Sequence, residues 1–132
     1  MATVRESAPQ KMAGLVPLVH VADVQKAIEF YQLLGFEVKN TVRNEQGRLQ
    51  WAWVQNGKAY LMFARSGREM NPAAQDVLFY VYAPDVAAYR AALEAKGVKV
   101  GSMKYPFCSP RGEFRIDDPD GYTVFVSHAD NK

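Results

Sequence analysis

The sequence lacks the residues that would cross-link the chain or carry it through a membrane. It has one cysteine, Cys108, so no disulfide can form within the chain, which is typical of proteins in a reducing compartment such as the cytoplasm. Met12–Val21 is apolar at the place of a signal peptide, but Pro17 and His20 interrupt it and Asp23 follows closely. No apolar run approaches the length needed to span a bilayer. We therefore expect a soluble, cytoplasmic protein with no membrane partner.

The sequence also lacks a large excess of positive or negative charge. The 16 basic and 14 acidic residues are well mixed along the 132-residue chain and leave a net charge of only +2. Binding to nucleic acid needs basic residues clustered on one surface, and the sequence shows no such cluster. The hydrophobic fraction of 48% and the charged fraction of 23% are ordinary for a folded domain. We therefore predict one globular domain with its own core and no nucleic-acid partner.

The most informative feature that is present is an internal repeat. The segment Asp23–Val38 aligns without a gap with Asp85–Val100, which lies 62 positions later. In each copy, an aspartate suited to cap a helix precedes an apolar stripe of helical spacing, and a glycine ends the pattern. The two copies predict helices at Asp23–Leu34 and Asp85–Lys96. Repetition at this scale indicates that a whole supersecondary unit occurs twice.

Alternating apolar residues and turn signals predict strands around both helices. In the first copy the predicted strands are Val16–Val21, Phe36–Val42, Leu49–Val54 and Lys58–Ala64, with Asn56-Gly57 as the last hairpin turn. In the second copy they are Val77–Ala83, Val98–Lys104, Glu113–Ile116 and Tyr122–Ser127. The predicted fold class is α+β, with two tandem βαβββ modules at about residues 12–66 and 76–128.

The polar N-terminal residues are predicted to lie outside this fold. Residues 1–11 show no periodicity, so we expect them to form a tail, or alternatively an arm that reaches over a partner subunit. The single domain is therefore expected at residues 12–128.

Two stretches of the sequence resemble the glyoxalase/bleomycin-resistance/dioxygenase, or vicinal-oxygen-chelate, superfamily. They are VPLVHVADVQKAIEFYQLLGFEV near the start and RGEFRIDDPDGYTVFVS near the end, and the resemblance covers about residues 12–128. It implies that the two modules form curved mixed sheets around a ligand cup. It also implies a homodimer.

The resemblance further implies where a metal would be bound in the metal-dependent members, namely on the first and last strands of each module. The corresponding positions here hold Val16, Leu61, Leu78 and Phe125. None of these side chains carries a donor atom suited to a divalent metal. The sequence therefore resembles most the metal-free, bleomycin-resistance-like branch, whose members bind a drug at a homodimer interface and sequester it. We expect no metal and no other cofactor.

Nine residues are candidates for ligand binding because strand alternation, or a position on the loop that should close the cup, would place them at the ligand. They are His20, Trp51, Trp53, Tyr80, Tyr82, Phe107, Arg111, Glu113 and Phe125. An aromatic lining with few charges is the usual composition of a small-molecule pocket. In the repeat, Trp51 and Trp53 correspond to Glu113 and Arg115, whereas Phe114 and Ile116 are expected to pack under the helix. Packing within the fold remains the alternative to ligand binding for Tyr80, Tyr82, Trp51 and Trp53. His20 is alternatively a hydrogen-bonded strand-end histidine, and Arg111 an exposed surface arginine.

The sequence places no nucleophile or carboxylate beside His20, and a lone histidine supports no mechanism. Cys108 is either an inert loop thiol or a reactive one beside Arg111. The predicted function is therefore binding and sequestration of a small, partly aromatic drug or metabolite by a homodimer. A net charge of +2 does not favour the cationic bleomycin itself. The alternative is a metal-dependent lyase, isomerase or oxygenase of the same superfamily.

Overall fold

The computed structural model describes residues 8–130 and contains the two predicted modules. Module 1 consists of β1 (Leu18–Val21), α1 (Val24–Leu33), β2 (Glu37–Arg43), β3 (Leu49–Asn56) and β4 (Ala59–Arg65). Its strands lie in the order β1-β4-β3-β2, with β1 parallel to β4 and the other neighbours antiparallel. Of the predicted tail, residues 1–7 fall outside the described residues.

Module 2 repeats the arrangement with one strand fewer. It consists of β5 (Leu78–Ala83), α2 (Val86–Ala95), β6 (Glu113–Asp117) and β7 (Thr123–His128). The strand order is β5-β7-β6, with β5 parallel to β7 and β6 antiparallel to it. Two helices on two mixed sheets confirm the predicted α+β class.

The repeat extends to the chemistry of the helix ends. The carboxylate of Asp23 accepts a hydrogen bond of 3.2 Å from the amide three residues later, and that of Asp85 accepts one of 3.0 Å at the same spacing. After the helices, Gly35 and Gly97 have φ values of +97° and +85°, which a residue with a Cβ rarely adopts. Both predicted helices are confirmed, and each is shorter by its two capping residues.

The predicted strand Val98–Lys104 is wrong as a regular strand. In the structure this segment is joined to β6 only by a bridge between Lys104 and Glu113 and by a 2.8 Å bond from the Gly101 amide to the Arg115 carbonyl. Glycine inside a strand weakens it and marks a close backbone approach. A Cβ at Gly101 would lie 3.2 Å from the Arg115 carbonyl oxygen, so glycine permits this approach at the cost of regular pairing.

Two boundaries in module 1 also differ from the prediction. β1 begins at Leu18 rather than Val16, because Pro17 has no amide and contributes only its carbonyl, which accepts a 2.9 Å bond from Met62. The turn between β3 and β4 has Gly57 and Lys58 as its central residues, not Asn56 and Gly57. Of these two central residues, only Gly57 has a positive φ, +57°. A two-residue hairpin turn with glycine at its first central position requires a positive φ at that position.

The core lies between each sheet and its helix. On α1 the buried side chains are Val24, Ala27, Ile28 and Tyr31, and on α2 they are Val86 and Leu93. They pack on the inward residues of the strands, including Val54, Phe63, Phe114, Ile116 and Val124. This packing covers one face of each sheet and leaves the other face available for a ligand.

The Asp118–Asp120 turn of module 2 ties the two modules together. Asp118 is 6% exposed, and its Oδ2 accepts a 2.8 Å hydrogen bond from the Tyr31 hydroxyl on α1. Asp120 is 5% exposed, and its Oδ1 accepts a 2.8 Å bond from the amide of Ala22, between β1 and α1. The carboxylates of this turn therefore hold module 2 against the start of module 1.

The segment between the modules also packs against this turn. It contains a short 3-10 helix, Pro72–Ala74, capped by the Asn71 side chain. A Cβ at Gly121 would lie 2.1 Å from the Pro72 carbonyl oxygen, so the linker backbone rests directly on the turn. Across residues 8–130, neither helix is long and apolar enough to cross a membrane.

Candidate functional site

The sheet face turned away from α1, called the cup face of module 1, carries the two tryptophans. Strand pairing arranges its side chains in two rows that run across the sheet. One row is Leu18, Met62, Trp53 and Asn40, and the next is His20, Ala64, Trp51 and Val42. Because alternate residues of a strand share a face, Trp51 and Trp53 are same-face neighbours on β3.

These indole rings are accessible to a ligand. Trp51 and Trp53 are half-buried, whereas Ala52 and Val54 between and beyond them are fully buried under α1. The Trp53 ring meets the Tyr60 ring edge to face, with centroids 6.0 Å apart at 69°. This contact fixes one edge of the indole and leaves a broad apolar surface on which a flat ring can stack.

The cup face of module 2 is more polar. Its rows are Leu78, Thr123 and Asp117, then Tyr80, Phe125 and Arg115, then Tyr82, Ser127 and Glu113. The rings of Tyr80 and Phe125 are stacked, with centroids 5.2 Å apart and planes at 16°. Tyr80 and Tyr82 are 47% and 63% exposed, so the structure does not place them in the core of the single chain.

Glu113 lies within this aromatic face and is buried. It is 7% exposed, and its Oε2 atom has no hydrogen-bond partner in the described part of the chain. Desolvation raises the pKa of the nearby Tyr80 hydroxyl, and the negative charge of Glu113 raises it further. The carboxylate therefore acts electrostatically on the same ring that stacks on Phe125.

The strand register confirms the predicted equivalence of β3 with β6. It corrects the predicted alignment of β4 with β7. Trp53 pairs with Met62 as Arg115 pairs with Phe125, so β3 and β6 correspond as expected. Phe114 and Ile116 are each 1% exposed and lie under α2, as predicted. In β4, however, the residue equivalent to Phe125 is Met62, not Leu61.

Leu61 is 5% exposed and faces the core, so it cannot be a cup position. The predicted equivalence of Leu61 and Phe125 follows from aligning Gly57 with Gly121. The β3–β4 turn has two central residues and the β6–β7 loop is longer, so this alignment displaces β4 by one position relative to β7. A one-residue slip moves a side chain to the other face of the sheet. The corrected residue, Met62, is a thioether and not a ligand for hard divalent metals.

Metal-binding side chains do not gather elsewhere in residues 8–130 either. No group of three or more histidine, cysteine, aspartate or glutamate residues in that range is placed to hold an ion. The family positions Val16, Met62, Leu78 and Phe125 offer no oxygen, nitrogen or thiolate donor. The residues present do not fit a catalytic divalent metal at this site.

The loop at residues 105–112 lies next to the cup face of module 2. Phe107 is 98% exposed, and Cys108 is an exposed free thiol. The Arg111 guanidinium is 3.2 Å from the Asp130 carboxylate, so it makes an ion pair near the end of the described chain. The side chain of Ser109 is buried instead, and its hydroxyl lies 2.6 Å from that of Ser127 on β7.

His20 lies at the far end of the cup face of module 1. Its side chain is exposed, and its carbonyl accepts a 2.7 Å hydrogen bond from the Tyr122 hydroxyl. Together with the linker it borders an open crevice of about 690 Å³ that includes Arg68, Asn71 and Gln75. The structure thus places His20 in the same row as Trp51 but two strands away from it.

A second cavity, of about 260 Å³, lies at the seam between the modules and is more apolar. Tyr60 from β4 lines it together with Leu78 and Tyr80 from β5. Tyr60 is not among the site residues predicted from the sequence, although its alternation with Met62 on β4 was a usable signal. Ring contacts among residues 8–130 join Trp53 to Tyr60 and Tyr80 to Phe125, but none joins the aromatic group of one sheet to that of the other.

Comparison with known proteins agrees with this geometry. The model of the Glyoxalase/Bleomycin resistance protein/Dioxygenase superfamily matches residues 15–126. No curated protein matches the chain. Among solved structures, a bleomycin-binding protein complexed with bleomycin is similar at 17% identity and a TM-score of 0.72, with 90% of this chain and 100% of that chain covered.

Two further structures of Streptomyces proteins are similar. The bleomycin-binding protein from bleomycin-producing Streptomyces verticillus, complexed with copper(II)-bleomycin, has 20% identity and a TM-score of 0.71 over 92% of this chain and 100% of that one. TnmS3, an antibiotic binding protein from Streptomyces sp. CB03234, has 22% identity and a TM-score of 0.69 over 92% and 98%. At these identities the likeness establishes the fold. Because the family model spans nearly the whole chain, the chain belongs to the glyoxalase/bleomycin resistance protein/dioxygenase superfamily.

Proposed function

We propose that the protein binds and sequesters a small, partly aromatic drug or metabolite, without a metal and without chemical conversion. The observation that carries this proposal is the exposure of aromatic side chains on the cup faces. Trp51, Trp53 and Tyr80 stay accessible, while Ala52 and Val54 on the opposite face of β3 are fully buried. Such rings bind flat ligands by stacking and by burial of apolar area.

The relatives support this proposal at the level of the family. Two similar structures are bleomycin-binding proteins, and a third is an antibiotic binding protein. The net charge of +2 gives no long-range attraction towards a cationic glycopeptide, so bleomycin itself is not singled out as the ligand. The ligand class proposed is therefore a flat aromatic compound rather than one named antibiotic.

The complete cup is proposed to form in a homodimer. The cup faces of one chain leave large apolar residues uncovered, among them Leu18 at 45%, Val42 at 52% and Leu78 at 53% exposure. A monomer seldom tolerates apolar patches of this kind, and closed two-fold symmetry is the commonest way to cover them. A second copy would place aromatic side chains on both sides of a bound ligand.

The ligand is sought by thermal shift with a panel of antibiotics and aromatic metabolites, including metal-free and copper-loaded bleomycin. A compound present at about 100 times its dissociation constant should raise the free energy of unfolding by about 2.7 kcal/mol. For each compound that binds, the thermal shift is measured again with Trp51→Ala and Trp53→Ala. The compound is then recovered from the protein, and we expect it to be chemically unchanged. A panel without any hit, or a hit that is chemically altered, contradicts sequestration.

The absence of a metal requirement is tested by elemental analysis of protein purified without chelator. We expect no stoichiometric zinc, nickel, iron or manganese, because the four family positions lack suitable donors. Stoichiometric metal that is lost in a variant of a cup-face residue would instead support the metal-dependent enzyme.

A further inference from the structure

The cup face of module 2 contains a carboxylate that the protein itself leaves unsatisfied. Glu113 and Arg115 point away from α2, because Phe114 and Ile116, which alternate with them on β6, are buried beneath that helix. Glu113 is 7% exposed, and its Oε2 atom is buried with no hydrogen-bond partner among residues 8–130. Native proteins rarely bury such a group without a donor, since desolvation of a carboxylate is costly.

The basic side chains around Glu113 are bound to other carboxylates or turned to solvent. Arg115 donates from Nε to Asp117 at 2.9 Å, and Arg111 is 3.2 Å from Asp130. Lys104 lies directly opposite Glu113 across the backbone bridge, but its side chain is exposed and makes no ion pair with Glu113 in the described chain. A donor for Oε2 must therefore come from outside these contacts.

The surroundings of this carboxylate define what such a donor would be attached to. Glu113 pairs across the sheet with Ser127, which is fully buried, and the next row holds the stacked rings of Tyr80 and Phe125. A donor that reaches Oε2 would therefore be carried beside an apolar, aromatic surface. Hydrogen bonds from a charged donor to a carboxylate are about twice as strong as neutral ones.

We propose that Glu113 is the recognition point for a protonated amine or amidine carried on an aromatic framework, so that the ligand of the cup is an aromatic cation. This inference rests on the proposed function, because it names the chemical class that the same cup would sequester. It is compatible with the net charge of +2, since a buried carboxylate acts over a few ångströms, whereas the mixed surface charges are screened by salt.

The test uses three probes with one ring system and different charges: 2-naphthylmethylamine, which is protonated at neutral pH, 2-naphthalenemethanol and 2-naphthoate. Their binding to the full-length protein is measured by ligand-observed NMR and by thermal shift at millimolar concentration. We expect 2-naphthylmethylamine to bind at least about tenfold more tightly than 2-naphthalenemethanol, and 2-naphthoate to bind most weakly. Equal affinities for the three probes, or a preference for 2-naphthoate, overturn the inference. Failure of all three probes to bind contradicts the proposed function itself.

Variants then assign the preference to Glu113. Glu113→Gln should reduce the cation-to-alcohol ratio to near one while the alcohol binds as before. Glu94→Gln removes the same charge from the outer surface of α2, where its side chain is 64% exposed, and should leave the ratio unchanged. An equal loss in both variants would mean that only the overall charge matters, and would overturn the assignment.

The melting temperature of the ligand-free protein separates binding from a structural role. Because Glu113→Gln removes an uncompensated buried charge, the melting temperature should stay equal or rise. Lys104→Met should neither lower it markedly nor reduce the cation preference. If Glu113→Gln and Lys104→Met both destabilise the protein, the two residues form an ion pair in solution and Glu113 is not available to a ligand.

Discussion

At the scale of single residues, Trp53 is the side chain whose removal should affect binding most directly. Its ring is half-buried, rests edge-on against Tyr60 and presents its remaining surface to the cup. We expect Trp53→Ala to weaken binding of a ligand found in the screen by about 1–3 kcal/mol, the scale of losing a buried aromatic contact. The dimer should persist. Leu33→Ala, on the outer surface of α1, is the control, and an unchanged affinity in Trp53→Ala would remove this residue from the site.

Asp118 is a residue whose importance is structural. Its Oδ1 accepts bonds of 2.9 and 2.8 Å from the amides of Asp120 and Tyr122, and its Oδ2 accepts one from Tyr31. Asp118→Ala would leave three buried donors without an acceptor, so we expect a loss of about 2–4 kcal/mol in the free energy of unfolding. Asp118→Asn keeps the Oδ1 acceptor and should lose less than half as much. Urea denaturation measures both, and equal losses would contradict the role assigned to Oδ1.

The pKa of the same carboxyl predicts a pH dependence. Burial raises the pKa of Asp118 above its ordinary 3.8, although hydrogen bonds from Tyr31 and the two amides oppose the shift. A pKa raised on folding contributes stability that is fully present below the unfolded value and is lost as the pH rises through the folded value. The free energy of unfolding of the wild type relative to Asp118→Asn should therefore be larger at pH 3.5 than at pH 7. A difference that is constant with pH, or grows towards pH 7, would show that the folded pKa is not raised.

The sequence predicts the face of most single residues correctly, because strand alternation is a local property. It places Trp51 and Trp53 opposite the helix, and Phe114 and Ile116 beneath it, as the structure has them. It fails at Leu61, since the face of a residue after a turn depends on how many residues the turn contains. The burial of Glu113 could not be predicted either, because it depends on tertiary packing.

At the scale of elements, the contact between the linker and the β6–β7 loop can be tested by one glycine. A Cβ at Gly121 would lie 2.1 Å from the Pro72 carbonyl oxygen, and the φ of Gly121 is +88°. Gly47 has a similar φ of +82° but open space around it. We expect Gly47→Ala to cost about 1–2 kcal/mol from backbone strain alone, and Gly121→Ala to cost clearly more. Equal losses in thermal or urea denaturation would mean that the linker does not pack on the turn in solution.

The helices are the elements that the sequence predicts best, because cap, apolar stripe and terminal glycine are all local signals that occur twice in phase. The segment 98–104 is the element it predicts worst. Its apolar residues alternate as in a strand, but Gly101 lets the backbone approach Arg115 so closely that regular pairing is lost. The sequence also does not predict the junction between the modules. This junction depends on the carboxylates of Asp118 and Asp120, and from the sequence their segment is recognisable only as a tight turn.

At the scale of the whole molecule, the two modules pack side by side through their helices and through the turn at residues 118–121. The hydroxyl of Tyr89 on α2 donates to the Leu34 carbonyl at the end of α1, and Lys96 bonds the neighbouring Leu33 carbonyl at 3.3 Å. These contacts lie on the helix side of both sheets. The 105–112 loop covers one end of the cup face of module 2, where Ser109 packs on Ser127. The exposed apolar remainder of both cup faces is why a homodimer is the state proposed for the working protein.

The homodimer gives the last prediction, which concerns how its interface is built. Leu78 on the cup face of module 2 is 53% exposed, and Leu33 on the outside of α1 is 40% exposed. If the cup faces meet in the dimer, Leu78→Asp would bury a charge in an apolar interface and should shift the protein to monomers at micromolar concentration. Leu33→Asp makes the same chemical change at a similar exposure and should leave the dimer intact. Sedimentation equilibrium distinguishes the two, and a wild type that is already monomeric at that concentration would contradict the assembly. Dissociation by Leu33→Asp alone would instead place the interface on the helices, and the cup would then have to be completed within one chain.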